Sequence, residues 1–329
     1  MGLEIKRIFV ATVTPFKDDG SVDLQQVGKH VRYLAEKNIG GLVCNAHAAQ
    51  GEVLTREEKI DIIRTIRSAI SKPIPLVAGI EALRTDELIQ QAIDARKAGA
   101  DAVMLCAPPL FAWNASQNPE FGESQIRAVA DEADIPIILF QYSSNNPFYY
   151  APKDLNRILR EVKKIVAVKL ATNLNIAQYE EDLRAVKGAG REVAALPAAG
   201  LTLYYAMLAG ADGALSGSAN FAAEHDIEMF DAVKAGDLAK GLEIHRTAYH
   251  LFKEVYKVPY VNMHIRYQYC TWIAGLIPNA LTRRPLLPLP LKEIAALAEG
   301  MKKSSIRIVN EDFERYSRER LLPWWKGGG

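Results

Sequence analysis

The sequence predicts an α/β fold, a (β/α)8 TIM barrel with a C-terminal helical extension. Eight short apolar runs, rich in Val, Ile and Leu, alternate with eight longer segments whose apolar residues recur with helical period. Parallel strands require such crossover helices, and eight strand–helix units close a barrel. The first run is followed by Thr-Pro-Phe-Lys-Asp-Asp-Gly. The alternative, a doubly wound open sheet, would favour a Gly-x-Gly-x-x-Gly loop there.

The elements follow in order along the chain. Strands are predicted at residues 8–14, 41–44, 75–79, 102–106, 136–141, 165–169, 192–196 and 213–216. Helices are predicted at residues 24–37, 56–71, 85–98, 124–133, 152–162, 176–187, 201–209 and 222–235. Thr55 and Thr85 precede acidic first turns and are predicted as N-caps. Gly40, Gly99 and Gly210 are predicted to end helices.

Three regions are expected along the chain. Residues 1–235 are predicted to form the barrel, and residues 236–308 to form further helices that pack on it as a layer. Residues 309–329, which include Trp324 and Trp325, are predicted to be a peripheral tail.

The charge balance excludes several partners. The chain has 329 residues, 40 Lys plus Arg against 39 Asp plus Glu, and a formal net charge of +1. This balance gives no electrostatic basis for binding nucleic acid or an anionic membrane. Cys44, Cys106 and Cys270 have no Cys-x-x-Cys spacing, and we expect buried thiols in a reducing compartment. The apolar run near the N-terminus is too short for a signal peptide, so a cytoplasmic protein is expected.

Lys169 is the candidate nucleophile, because it closes the apolar run Ile-Val-Ala-Val-Lys. Chemistry in such barrels gathers where strands end. Burial lowers the pKa of an unpaired ammonium, and a neutral amine in an apolar pocket can attack a carbonyl to form an imine. The alternative is a lysine that reaches solvent or pairs with a carboxylate at the strand end.

Other strand ends provide candidate binding residues. The loop at residues 45–50 offers backbone N–H groups for a ligand carboxylate, with His47 and Gln50 as side-chain donors; a tight turn capped by His47 is the alternative. In the loop that follows strand eight, Asn220 is predicted as a helix N-cap. The residues expected to contact substrate are Ala48, Ala49, Gln50, Phe140, Ala198 and Ser216. No set of His, Cys and carboxylate residues has zinc spacing, so no metal is expected.

Several short motifs occur in order between residues 9 and 298. They are Thr12-Val13-Thr14-Pro15-Phe16, Leu54-Thr55-x-Glu57-Glu58, Val77-Ala78-Gly79, Ala98-Gly99-Ala100-Asp101-Ala102, Val168-Lys169 with Ala171-Thr172, Ala209-Gly210-Ala211-Asp212-Gly213 with Ser216, Ala219-Asn220, and Arg284-Pro285-Leu286-x-Pro288-Leu289. In this order and spacing they resemble the dihydrodipicolinate synthase / N-acetylneuraminate lyase superfamily of class I, pyruvate-type aldolases.

The resemblance implies that Lys169 forms a Schiff base with pyruvate or a longer 2-keto acid. The protonated imine then acts as an electron sink, so that C3 can be deprotonated or a C3–C4 bond made or broken. It also implies a homo-oligomer, a dimer or tetramer, that needs no metal and no organic cofactor. A second substrate, an aldehyde, is expected in the aldolase variant of this chemistry.

The chain departs from the family pattern at its acid/base residues. His47 and Ala48 stand where the family has a pair of threonines, and Phe140 stands where it has the strand-five tyrosine. Either His47 or Tyr142 is predicted to replace that tyrosine, because imidazole titrates near neutral pH and Tyr142 lies two residues along the strand from Phe140. Asn145 or Asn146 replaces the arginine that grips a second substrate carboxylate, which argues against the lysine-biosynthesis synthase.

Three functions remain open on the sequence. The leading one is a Schiff-base lyase: an aldolase, a hydratase-aldolase or a 2-keto-3-deoxy acid dehydratase. Leu110, Phe111 and Trp113 after strand four favour an apolar or aromatic aldehyde half. The second is a catalytically weak homologue that binds a 2-keto acid as a sensor. The third is a phosphate-binding barrel that uses Gly200, Ser216 and their neighbours.

Overall fold

The computed structural model describes residues 3–71, 73–113, 115–172, 174–198, 200–322 and 324. Eight strands are present: β1 (Arg7–Ala11), β2 (Gly41–Cys44), β3 (Leu76–Ile80), β4 (Ala102–Leu105), β5 (Ile137–Gln141), β6 (Ile165–Leu170), β7 (Ala194–Pro197) and β8 (Gly213–Ser216). Each overlaps its predicted run, and the bounds of β2 and β8 agree with the prediction at both ends.

Helices follow the strands and then continue beyond them. The eight barrel helices are α1 (Leu24–Ala35), α2 (Arg56–Ala69), α3 (Thr85–Ala98), α4 (Glu120–Glu132), α5 (Pro152–Glu161), α6 (Ile176–Lys187), α7 (Leu203–Leu208) and α8 (Ala219–Lys234). The later helices are α9 (Leu238–Val255), α10 (Val261–Ile273), α11 (Leu291–Lys303) and the short α12 (Arg318–Leu321).

All strand pairs are parallel, in the order β7-β6-β5-β4-β3-β2-β1-β8. The ends of this sheet meet at Asp212, just before β8. Its peptide N–H donates to the carbonyl of Ala195 on β7 at 3.1 Å, and its carboxylate accepts from the Ala195 N–H at 2.7 Å. The sheet therefore curls into a nearly closed barrel, as predicted, and the doubly wound alternative is wrong.

Two apolar cores hold the barrel together. One lies between the strands and the surrounding helices, with residues such as Leu42, Ile66 and Leu155 fully buried. The other fills the barrel interior and continues into α9, α10 and α11, joining Met104 of β4 to Phe252 of α9. Because the second core is continuous, the C-terminal helices are packed directly onto the barrel.

The helix ends agree only in part with the predicted caps. Thr55 caps α2 with a complete capping box, since its hydroxyl accepts from the Glu58 N–H and the Glu58 carboxylate accepts from the Thr55 N–H. Thr85 is the first residue of α3 and not its cap, which is Arg84. Gly99 caps α3 in the left-handed conformation, at a φ of 107°, as predicted.

Asn220 is not an N-cap, because it lies inside α8 and is fully buried. Its carboxamide oxygen accepts from the Val13 N–H at 3.1 Å and lies 2.9 Å from Nε2 of His30. Its amide group donates to the carbonyls of Ala11 and Gly217 at 2.7 and 2.8 Å. The side chain thus ties the start of α8 to the end of β1, on the rim where substrate is expected.

Part of the predicted tail is joined to the helical layer. Tyr316 is buried, its ring packs edge-on against Trp272 at 5.1 Å, and its carbonyl accepts from the Tyr269 hydroxyl at 2.6 Å. Trp324 is exposed, while Trp325 and residues 326–329 lie outside the described residues. All three cysteines are buried and unpaired, as expected. None of the described helices is long and apolar enough to span a bilayer.

Candidate active site

A cavity lies at the carboxyl ends of the strands. The strands and their loops provide one side of it, and the C-terminal helices provide the other. Its lining consists of Ala11, Ala46, Ala48, Phe140, Lys169, Ala171, Leu174, Ala198, Leu215, Gly217, Tyr256, Tyr260, Met263, His264 and Tyr267. Lys169 is the only Lys or Arg among these lining residues. The cavity is therefore mostly apolar and phenolic around one amine.

Lys169 lies near the end of β6, with its ammonium nitrogen 4.4 Å from the centroid of the Phe140 ring. No hydrogen bond or ion pair to its side chain occurs among the described residues. Burial lowers its pKa from the usual 10.5 to about 8, because the charged form loses its water and gains no carboxylate partner. A substantial fraction of the amine is consequently neutral near physiological pH.

Phe140 separates Lys169 from Tyr142. The Tyr142 ring stacks on the Phe140 ring with centroids 4.2 Å apart. A phenol ring and an ammonium group cannot both occupy one face of a benzene ring at these distances, so Tyr142 and Lys169 lie on opposite faces. The Tyr142 hydroxyl accepts from the Ala107 N–H at 3.2 Å and lies 3.4 Å from Nε2 of His47.

His47 is held in a charged environment beside the Phe140 ring. Its Nδ1 contacts the Glu52 carboxylate directly and lies 3.9 Å from an oxygen of Glu81. Burial opposes charging of the ring, but the neighbouring Cys106 and the Glu52 carboxylate outweigh it and raise the pKa of His47 well above its usual value. His47 is thus an imidazolium paired with the carboxylate of Glu52.

His264, which sequence reasoning missed, is the imidazole that lines the cavity. It lies on α10, and its ring stacks on that of His47 with centroids 5.7 Å apart. Burial, together with the positive charges of His47 and Lys169, lowers the pKa of His264 to about 3. His264 therefore presents a neutral ring to the cavity, able to donate or accept a hydrogen bond.

The remaining wall of the cavity comes from the C-terminal helices and was also missed. Tyr256 and Tyr260 lie between α9 and α10, and Met263, His264 and Tyr267 follow on α10. One pattern could have indicated this wall. Tyr256, Tyr260, His264 and Tyr267 follow one another at intervals of three or four residues. This spacing predicts one helix face of polar aromatic side chains, where an apolar stripe would be expected.

The predicted substrate-contacting residues divide into two groups. Ala48, Phe140 and Ala198 line the cavity. Ala49, Gln50 and Ser216 lie behind its wall: the Gln50 carboxamide oxygen accepts from the Arg283 N–H at 3.1 Å, and the Ser216 hydroxyl contacts that of Ser218 at 2.6 Å.

The prediction that the residues after strand four contact an apolar or aromatic aldehyde is wrong. Trp113 is 86% exposed and Leu110 is 52% exposed. Phe111 is buried, but none of these three residues is among those that line the cavity. A 3-10 turn at Pro109–Ala112 follows β4, and the side chains of Leu110 and Trp113 are exposed to solvent there. The apolar part of the wall is formed instead by Leu174, Met263 and Phe140.

A single group of side chains has the spacing of metal ligands among the described residues. His47, Glu52 and Glu81 each place one ligand atom within 4.8 Å of the others. In this geometry the Glu52 carboxylate is already paired with His47. The arrangement serves equally well as an ion pair with a neighbouring carboxylate.

Fold and site together define a parallel (β/α)8-barrel protein with a lysine in an apolar cavity at the carboxyl ends of its strands. The chain belongs to the dihydrodipicolinate synthetase family, whose model matches residues 4–304. A 4-hydroxy-tetrahydrodipicolinate synthase of Archaeoglobus fulgidus is 31% identical over 250 residues, which are 74% of this chain and 81% of the relative. The synthase of Methanothrix thermoacetophila is 28% identical over 304 residues, 91% and 96% of the two chains.

Solved structures agree on the fold. A monomeric dihydrodipicolinate synthase variant superposes with a TM-score of 0.82 at 22% identity, covering 92% of this chain and 98% of the other. YagE of E. coli K12, a family member solved in complex with pyruvate, superposes with a TM-score of 0.81 at 21% identity, covering 92% and 99%. Membership of this family supports a lyase, while identities near 30% leave the reaction to be argued from the site.

Proposed function

We propose that the protein is a lyase that forms a Schiff base between Lys169 and the keto carbon of pyruvate or a longer 2-keto acid. The observation that carries this proposal is the position of Lys169 in an apolar cavity, with a pKa lowered to about 8. The binding of pyruvate by YagE, a protein of the same family and fold, supports the substrate class.

The surroundings of the amine suit imine formation. A neutral Lys169 attacks C2 of the keto acid to form a carbinolamine, which takes up one proton from solvent and loses water, and the product is a positively charged iminium. The face of the Phe140 ring, 4.4 Å from the nitrogen, attracts that charge as it develops. Phe140 therefore contributes a cation–π contact where the family has a phenol.

The loop after β2 is the proposed carboxylate site. Ala46 and Ala48 line the cavity, and a 3-10 turn begins at His47. The first N–H groups of such a turn have no partner within it, so they can donate to an anion. The loop packs closely on β3, because a Cβ on Gly79 would lie only 2.6 Å from the Cα of Ala46.

The rest of the substrate is proposed to be uncharged. Apart from Lys169, none of the described lining residues is a lysine or arginine that could pair with a second carboxylate. Leu174, Met263 and Tyr260 offer apolar and phenolic surface in its place. The relatives' synthase activity is therefore not proposed for this chain, and the substrate is a 2-keto acid with a neutral, partly apolar tail.

His47 and Tyr142, the predicted acid/base residues, are better suited to positioning. The His47 ring packs edge-on against Phe140 at 5.6 Å, and Tyr142 stacks on the same ring. Neither His47 nor Tyr142 is among the residues that line the cavity. We propose that they hold Phe140 and His264 in place around the imine and do not touch the substrate themselves.

Reductive trapping tests the proposal. The protein is incubated with pyruvate and cyanoborohydride, and the adduct is located by intact mass and peptide mapping. We expect a reduced pyruvyl adduct on Lys169, absent from Lys169→Ala and present in the matched control Lys163→Ala, which removes an exposed lysine near the start of β6. A folded protein without adduct, with longer 2-keto acids also tried, would refute the proposal.

The alternatives have distinct outcomes in the same experiment. Trapping without turnover of any aldehyde or keto acid would indicate the 2-keto-acid sensor. The phosphate-binding alternative is not favoured, because the Ser216 and Ser218 hydroxyls bond to each other and to the Asp226 carboxylic group, which repels anions when ionised. A homo-oligomer remains a prediction, to be measured by light scattering.

A further inference from the structure

A chain of hydroxyl groups runs from the cavity wall to a buried carboxyl group that the proposed mechanism has not used. Asp226 lies on α8 and is fully buried. Its Oδ2 accepts from the Ser218 hydroxyl at 3.3 Å, and its Oδ1 has no hydrogen-bond partner. Burying a carboxyl group with one unpaired oxygen costs free energy, and this cost favours a functional role for Asp226.

Ser218 connects Asp226 to two phenols of the cavity. The Tyr256 hydroxyl donates to Ser218 at 3.3 Å, and the Tyr267 ring packs edge-on against the Tyr256 ring with centroids 6.1 Å apart, with its hydroxyl close enough to that of Tyr256 to affect the pKa of both. Both phenols line the cavity that contains Lys169. The Tyr267 ring occupies the space where a Cβ on Gly217 would lie, 2.2 Å from its nearest atom, so the turn after β8 is built around this ring.

We propose that Asp226 is the base that ultimately receives the C3 proton of the Lys169-bound 2-keto acid, through Tyr267, Tyr256 and Ser218. This inference rests on the proposed Schiff base. Tyr267 would be the catalytic residue that touches the substrate, while Asp226 acts through the other three. Tyr267, Tyr256, Ser218 and Asp226 together form the proposed Asp226 relay.

The proton transfer balances along the relay. The C3–H bond of the iminium breaks, its electron pair forms the C2=C3 bond of the enamine, and the charge on nitrogen is neutralised. The C3 proton goes to the oxygen of Tyr267 as the Tyr267 proton passes to Tyr256. The Tyr256 proton passes to Ser218, and the Ser218 proton passes to Asp226. Asp226 ends protonated, every hydroxyl is restored, and the reverse sequence returns a proton to the enamine.

The pKa of Asp226 suits the role of a base better than the pKa of His264, the imidazole that lines the cavity. Burial raises the pKa of Asp226 to about 7, opposed only by hydrogen bonds from Ser218 and Ser216. The titratable groups that face it are the phenols Tyr256, at the end of α9, and Tyr267, on α10. His264, with a pKa near 3, is a far weaker base. A base whose pKa lies near the working pH is the most effective one.

Two measurements on the same samples separate this inference from the Schiff base itself. Cyanoborohydride trapping reports the imine, and exchange of the pyruvate methyl protons in D₂O, followed by NMR, reports proton transfer at C3. We expect Asp226→Asn to trap pyruvate like the parent protein and to exchange about 100-fold or more slowly. The parent rate should rise with pH through about 7, as Asp226 ionises, and this rise should be missing from Asp226→Asn.

A matched control is another buried aspartate. Asp182 is fully buried, accepts hydrogen bonds from Gln141 and Gln178, and has a pKa raised by burial to about 6. Asp182→Asn removes the same kind of group on the outside of the barrel and should retain both the exchange rate and its pH dependence. An equal loss of exchange in this variant would overturn the relay.

Two further variants keep the test decisive if Asp226→Asn does not fold. Ser218→Ala interrupts the relay in its middle and Tyr267→Phe removes its end, so both should trap pyruvate and exchange slowly. Exchange at the parent rate in either one, with trapping intact, would overturn the relay. Absence of trapping in the parent protein would overturn the Schiff base as well.

Discussion

Replacing Phe140 with leucine changes the surroundings of Lys169 in one respect. Leucine keeps the wall apolar and keeps water away from the amine, so the desolvation that lowers the pKa of Lys169 persists. The aromatic face, 4.4 Å from the nitrogen, is lost. Because that face stabilises the charged form only, its loss should lower the pKa of Lys169 further.

The size of the effect follows from the contact. A cation–π contact contributes about 0.5–2 kcal/mol, depending on how far the cation is desolvated. One pKa unit corresponds to about 1.36 kcal/mol, so the pKa should fall by about 0.4–1.5 units. From about 8 in the parent protein, this brings the midpoint close to neutrality. The neutral fraction at pH 7 should rise by about fivefold for a fall of about one unit.

The pKa can be measured by competitive labelling of Lys169 with trace acetic anhydride across pH 5–10, quantified on the Lys169 peptide. Phe148→Leu is the matched control, because its ring contacts Tyr142 at 5.1 Å and has no described contact with Lys169. We expect the midpoint to move to lower pH in Phe140→Leu only. A midpoint that moves upward, or moves equally in the control, would refute the role given to the ring.

Three other predictions concern stability, the relay and selectivity. His30 is buried with its pKa lowered to about 4, so between pH 6.5 and 4 the unfolded chain binds a proton that the folded chain does not. The free energy of unfolding should therefore decrease as the pH is lowered through that window, by up to about 3 kcal/mol. His30→Gln should reduce this pH dependence. Gly217→Ala should displace Tyr267 and slow methyl-proton exchange by about 10- to 100-fold while leaving trapping intact. Met263→Arg should raise kcat/KM for a substrate with a carboxylate on its tail, relative to a neutral analogue, by about 5- to 30-fold.

Each of these predictions has a matched control. Urea unfolding of His250→Gln, which removes an exposed histidine, should retain the pH dependence of the parent protein. Gly28→Ala adds a Cβ no closer than 3.5 Å to its neighbours and should exchange normally. Met263→Gln makes the side chain polar at similar length without adding a charge. Equal preference for the charged tail in Met263→Gln and Met263→Arg would contradict the electrostatic explanation.

The sequence was sufficient for the barrel because each element has its own local pattern. Strand runs such as the one ending at Lys169 are apolar on both faces, and the capping box at Thr55 is complete within four residues. Lys169 could be singled out because a charge at the end of such a run is conspicuous without any tertiary information.

The opposite wall of the cavity could not be predicted in this way. Their spacing could have indicated a polar aromatic face, but Tyr256, His264 and Tyr267 line the cavity only because α9 and α10 fold back over the barrel mouth, and no local pattern specifies that packing. Trp113 was misplaced for a related reason, since a short turn decides whether a loop residue faces inward or outward. Asn220 was mistaken for a cap because its four partners come from two other parts of the chain, the end of β1 and α1, and from its own turn.

The division of the cavity between strands and C-terminal helices has a consequence for how such a protein can change. Lys169 and the loop after β2 belong to the barrel. Most of the wall that would contact the far end of a substrate belongs to residues 256–267, in the C-terminal helical layer. Mutations at Tyr260 and Met263, which lie outside the Asp226 relay, can therefore reshape what fits beside the imine while the strands and loops around the amine stay unchanged. A library restricted to residues 260 and 263 would search substrate range at little risk to the bond-making step.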